Sequence, residues 1–151
     1  MKVSSTQGDV IITHALGSCL GIVIYDPVAQ VGGMLHAMLP DSTIDPAKAK
    51  KSPDMFIDTG VPRLFRECYK LGAEKSRMLV KVAGGATSKA DEKDDYFQIG
   101  KRNFVMLRKV FWKNNVLIKS YDIGGTASRT LLVEIGTGTV VLKMNGAAKK
   151  L

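Results

Sequence analysis

Long apolar runs are missing from this 151-residue chain. No stretch reaches the roughly eighteen residues that a membrane-spanning helix needs, so insertion into a bilayer is not expected. Residues 1–9 are polar and lack the apolar centre of a secretory leader, which makes a cytoplasmic location the expectation. Cysteine and histidine are scarce: Cys19, Cys68, His14 and His36 are the full set. They form no Cys-x-x-Cys pair and no metal-ligand spacing, so no metal site is expected, and the thiol–imidazole chemistry read below needs no organic cofactor. Both cysteines should be free thiols in a reducing compartment. Internal repeats and low-complexity segments are also absent, and the length suits one domain over residues 1–151 with a real core.

Positive charge is in excess, with Lys plus Arg at 22 against Asp plus Glu at 14, a formal +8. Such a balance suits a solvated basic surface or the steering of an acidic partner. The basic residues are scattered and no nucleic-acid motif accompanies them, so nucleic acid is not an expected partner.

Residues 10–12 read as a short strand, residues 17–18 as a turn, and the apolar residues 19–25 as a strand covered on both faces. Asp26-Pro27 marks a turn, and residues 31–39 return as a strand. Residues 41–53 are polar and Lys-rich, hence a loop. Ile57, Val61, Leu64, Phe65, Cys68 and Leu71 recur at helical spacing. Pro62 either kinks that helix or begins it. Residues 77–83 read as a strand, 86–97 as a charged loop, and 99–114 as a helix with Ile99, Asn103, Leu107, Val110 and Phe111 facing inward. Residues 116–121, 130–135 and 140–144 complete the strands. No strand is read ahead of Val10. The pattern is α+β with a largely antiparallel component.

The stretch THALGSCLGIVIYD, residues 13–26, places a thiol at the head of an apolar run. If the hairpin loop is Asp26 to Ala29, Tyr25 faces Gln30 and Cys19 faces His36, with Cβ atoms roughly 4.5–5.5 Å apart. A thiol and an imidazole within reach of each other can perform nucleophilic acyl chemistry. Thr13 is a candidate orienter of the imidazole. Gly21 shares the Cys19 face and leaves room for a substrate. Gly17 lets backbone N–H groups of Ser18 and Cys19 turn outward as an oxyanion site. The bland reading of Cys19, a small buried hydrophobe, stands beside the catalytic one. Cys68 is read as core, as are Met34 and Met38, and His14 as a surface residue. AGGATSK (83–89) has the wrong glycine spacing for a Walker loop, and DIGGTASRT (122–130), which looks like the DxGGT of sugar kinases, lies near the end of a chain too short for their second lobe; both read as turns with close backbone approach around the site.

With these residues in place, the chain resembles the CheD family of chemoreceptor glutamine deamidases. The matching stretches are THALGSCLGIVIYDP, GGMLHAMLPDS, KVAGGA, IGKRN and YDIGG with a following Arg, in the family's order. The resemblance implies a Cys-His-Thr triad of Cys19, His36 and Thr13. It also implies a layered α/β sandwich similar to the catalytic domain of cytotoxic necrotizing factors. The implied substrate is a glutamine side chain on the cytoplasmic helical bundle of a methyl-accepting receptor, converted to glutamate. Some family members bind the phosphatase CheC, so a regulatory module acting mainly through CheC or receptor binding is the alternative. A hydrolase of small amides is a further one.

Overall fold

The computed structural model describes residues 1–87 and 95–151; the central part of the charged loop expected at 86–97 lies outside them. Among the described residues nine strands form two sheets. One holds β1 (Lys2–Ser4), β3 (Leu20–Asp26), β4 (Val31–Ala37), β5 (Leu79–Gly84) and β6 (Ser120–Ile123) in the order β1-β4-β3-β5-β6. The other holds β2 (Val10–Leu16), β7 (Arg129–Glu134), β8 (Val140–Met144) and β9 (Ala147–Lys150) in the order β2-β7-β8-β9. All pairings are antiparallel except β5 with β6. The fold is therefore α+β with mostly antiparallel strands.

β3 is buried along its whole length, because both faces of its sheet are covered. On one face Leu20, Ile22 and Ile24 join Leu35 and Ala37 of β4. They meet Ile57, Leu64 and Cys68 of α2 (Ile57–Lys70) and Leu107 and Phe111 of α3 (Ile99–Lys113). On the other face Val23 and Met34 pack on Ile11, Leu131, Val133 and Leu142 of the second sheet. Alternation along the strands thus builds three layers: helices, first sheet, second sheet.

Several sequence expectations need correction. The hairpin loop is Pro27 to Gln30, with Asp26 paired to Val31, because Gln30 adopts a left-handed φ of 51° and lets the turn close one residue later. α2 begins at Ile57 and runs through Pro62, so the proline does not start it. Residues 46–51 of the expected loop form the short helix α1 (Pro46–Lys51), capped by Asp45, whose carboxylate accepts from the Lys48 N–H, with Pro46 first in line. β1 is present at the sheet edge against β4. β6 starts at Ser120, four residues later than read, while Val116 and Ile118 pack against the core. Met38 is exposed rather than core. Among the described residues no helix is long and apolar enough to cross a membrane.

Candidate functional site

Thr13 and His36 come from different sheets and meet between them, with Thr13 Oγ1 2.8 Å from His36 Nδ1. Alternation explains the aim of each. Ile11 and Thr13 share the face of β2 that looks toward the first sheet, while Val10 and Ile12 are exposed. His36 shares its face of β4 with Met34, which packs against the second sheet. A bulge follows Thr13: Thr13 pairs with Leu131, but Leu16 pairs with Arg129. The additional residue, Ala15 at φ 56°, lets Thr13 and Leu16 both face inward although three positions apart. His14 points outward, its Nδ1 3.3 Å from Thr130 Oγ1 on the exposed side.

Across the β3–β4 ladder His36 is opposite Gly21, not Cys19. The register differs from the expected one by two residues, which keeps the faces unchanged. Cys19 lies one position ahead of β3, partly exposed, and packs against the same inter-sheet cluster. Continuing the ladder sets it diagonal to His36, a separation of about 7–8 Å between backbones that side chains can bridge. Gly21 does not open a substrate pocket. A β-carbon there would lie 2.7 Å from Leu16 Cδ1 and 3.0 Å from Leu131 Cδ2, so leucines of the second sheet already fill the space.

The backbone around Cys19 is held on all sides. The Gly17 carbonyl accepts from the Ala86 N–H at 2.8 Å, and the Cys19 carbonyl from the Gly85 N–H at 2.9 Å. The Ser18 carbonyl accepts from Asn103 Nδ2 on α3 at 3.0 Å. Gly84 and Gly85 have φ of 121° and 64°, and Gly100 of α3 would meet the Gly85 carbonyl oxygen at 2.5 Å if it carried a β-carbon. The Gly-Gly turn at 84–85 is thus pressed between the Cys19 backbone and the start of α3. The second pair, Gly124 and Gly125, docks beside it through Gly124 N–H to the Gly84 carbonyl and Thr87 N–H to the Gly125 carbonyl. Arg129, almost fully buried, holds that loop through the Gly124 and Ala127 carbonyls and the Asp122 carboxylate. In the sequence Asn103 reads as facing inward and Arg129 is the Arg that follows YDIGG, but neither is assigned a role at the site there.

Burial raises the Cys19 thiol above the 9.0 of an ordinary cysteine, and its own backbone N–H pulls partly the other way. Burial lowers the His36 imidazole below 6.5, with the chain's amino-terminal charge adding to the effect. At neutral pH both groups are therefore neutral at rest. Cys68 is fully buried under α2, and burial pushes its thiol up to about 12, with the Glu67 charge adding. Among the described residues no cluster of three or more His, Cys, Asp or Glu side chains could hold a metal ion.

Comparison with known proteins agrees with this frame. The family model described as CheD chemotactic sensory transduction matches residues 38–144. A relative from Syntrophus aciditrophicus (strain SB), named probable chemoreceptor glutamine deamidase CheD 1, is 54% identical over 145 residues, covering 96% of this chain and 89% of its own. One from Solibacter usitatus (strain Ellin6076), named probable chemoreceptor glutamine deamidase CheD, is 47% identical over 150 residues, covering 99% and 88%. A relative of the same name from Pyrococcus abyssi (strain GE5 / Orsay) is 37% identical over 134 residues, covering 89% and 81%. The relatives extend the likeness ahead of residue 38, over the stretch that carries Thr13, Cys19 and His36, and with the family match they place this chain in the CheD family.

Proposed function

We propose that the protein deamidates glutamine side chains on the cytoplasmic helical domain of a chemoreceptor, with Cys19 as nucleophile. The observation that carries this reading is the 2.8 Å contact of Thr13 Oγ1 with His36 Nδ1, beside a partly exposed thiol on the same inter-sheet face. With the proton on Nδ1 donated to the Thr13 hydroxyl, Nε2 is left as a base. His36 takes the Cys19 proton as sulfur attacks the carboxamide carbon, and the Cys19 N–H, with that of Ser18, receives the developing oxyanion. The imidazolium then protonates the departing nitrogen, the C–N bond breaks and ammonia leaves a thioester. Water, losing a proton to the same imidazole, attacks the thioester carbonyl. The C–S bond breaks, giving glutamate and restoring the thiol. No cofactor is required by these steps.

The formal charge of +8 would assist docking on an acidic helical bundle. The reaction takes place in the cytoplasm, where that bundle lies, and CheC enters this reading as a further binding partner of the protein. The deciding experiment is incubation of the purified protein with a receptor cytoplasmic fragment, followed by mass spectrometry. Each converted glutamine gains about one mass unit. Cys19→Ala and His36→Ala should abolish the gain while His14→Ala keeps it. Full activity in Cys19→Ala with loss in Cys68→Ala would overturn the assignment.

A further inference from the structure

We propose that Asn103 is a positioning residue that fixes the direction of the Ser18–Cys19 peptide and so aims the Cys19 N–H at the reacting carbonyl. The inference rests on the deamidase reading and adds to it a residue on α3, remote in sequence from the thiol.

Asn103 is fully buried on the apolar face of α3. Its single amide nitrogen donates twice, to the Ser18 carbonyl and to the Met38 carbonyl, both at 3.0 Å. One acceptor belongs to the residue before the thiol. The other lies just past the end of β4, two residues beyond His36. One side chain therefore ties the approach to Cys19 and the exit from the His36 strand to the same helix. Flipping the amide would set Oδ1 against two carbonyl oxygens, so the orientation is forced by its partners. Oδ1 itself is buried without a hydrogen-bond partner. A buried polar atom left unpaired is unfavourable, and a leucine of the same branched outline would carry no such penalty. The amide is retained here against the local packing preference, which points to what its nitrogen does.

The consequence follows from peptide planarity. There are no cis peptide bonds among the described residues, so the Cys19 N–H points opposite to the Ser18 carbonyl. Pinning that carbonyl onto α3 turns the N–H away from the helix layer. The neighbouring carbonyls of Gly17 and Cys19 are already held by Ala86 and Gly85. The Ser18 carbonyl is the one in this run held by a side chain, and so the one a point substitution can release.

The test uses the full chain labelled with 15N-cysteine, which yields two amide resonances because only Cys19 and Cys68 contribute. Asn103→Leu removes the donor and keeps the branched outline of the side chain; Asn103→Ser is the second variant, smaller and tolerant of water, in case the leucine does not fold. In either folded variant the Cys19 resonance should move while that of Cys68 stays. With a receptor fragment, kcat should fall about a hundredfold to a thousandfold, the range for losing one oxyanion donor, with KM changed less than about threefold. Alkylation of Cys19 by iodoacetamide needs the thiolate and no oxyanion site, so its rate should stay within about threefold of wild type. An unmoved Cys19 resonance, an unchanged kcat in a folded variant, or a parallel fall of kcat and alkylation would each overturn the proposal. If the wild-type protein leaves the fragment unconverted, the deamidase reading fails by itself, and the cysteine resonances still decide whether Asn103 sets the peptide.

Discussion

Gly84 lies so near Cys19 that a β-carbon on it would sit 2.1 Å from the Cys19 carbonyl oxygen. No side-chain adjustment relieves a contact with backbone, and the φ of 121° is itself strained for any other residue. Gly84→Ala should therefore lose at least about 2 kcal/mol of stability, read from a shifted urea midpoint. It should also lower deamidation more than Gly21→Ala, whose new methyl meets only the movable ends of Leu16 and Leu131. Equal activity in the two variants would contradict this ranking.

Thr13→Val keeps the shape of the side chain and removes the hydroxyl that meets His36. We expect kcat on a receptor fragment to drop roughly tenfold to a hundredfold, part of what general acid–base catalysis supplies, with KM nearly unchanged. Restoration by Thr13→Ser would show that the oxygen matters rather than the methyl. A Val variant as active as wild type would remove Thr13 from the mechanism.

The resting protonation states give the pH profile a definite sign. Because burial lowers His36, its neutral base form persists below pH 6.5, so the acid limb of activity should fall below that value. Because burial raises Cys19, alkylation of the free protein should keep climbing above pH 9.0. Deamidation rates on a receptor fragment from pH 5 to 8 check the first limb, and iodoacetamide kinetics up to pH 10.5 check the second. A plateau reached near neutrality would indicate a thiolate–imidazolium pair already formed at rest.

Sequence spacing put Thr13, Cys19 and His36 forward as a group; the fold brings Thr13 to His36 and sets His36 opposite Gly21, with Cys19 on the diagonal. Cys19 and His36 share a face because a register error of two preserves alternation. What strand reading could not reveal is that β2 and β3, adjacent in the chain, belong to different sheets. Thr13 reaches His36 across the gap between layers, not along one ladder. Local signals did exist for two overlooked elements. Asp45-Pro46 is a helix-start pair, and Asn145-Gly146, both with positive φ, is the tight turn joining β8 to β9. The polar tail Ala147–Lys150 hid the strand because it is exposed throughout. The role of Asn103 depends on which carbonyls arrive beside it, and these come from residues 18 and 38.

Thiol counting separates the two cysteines. Native protein should react with one equivalent of a thiol reagent and denatured protein with two, since Cys68 is sealed under α2 and its thiol is pushed up to about 12. The Cys19→Ala variant should take up none until it is unfolded. Rapid labelling of Cys68 in the folded state would contradict the packing described.

Asp26 anchors the far end of the β3–β4 hairpin. Its fully buried carboxylate accepts from Arg77 and from the N–H groups of Val28, Ala29 and Glu74. Burial alone would raise its pKa, but the Arg77 guanidinium and the three N–H donors overcome that and hold it well below 3.8. A depressed carboxyl stabilises the fold above the unfolded-state value and loses that contribution as pH falls through the folded one. Asp26→Ala should thus cost about 3 kcal/mol at pH 7, and the gap to wild type should narrow in acid. Denaturant titrations at pH 7 and pH 3 measure both, and a gap independent of pH would assign the loss to packing instead.

On the proposed mechanism, the pairing of Thr13 with His36 makes turnover hostage to how the two sheets lie on one another. Loosening that stack, as in an expanded acid state, would leave every ladder and helix intact to far-ultraviolet dichroism while parting the hydroxyl from the ring. On gentle warming, turnover should accordingly fade in step with the near-ultraviolet signal and ahead of any melting of the strands.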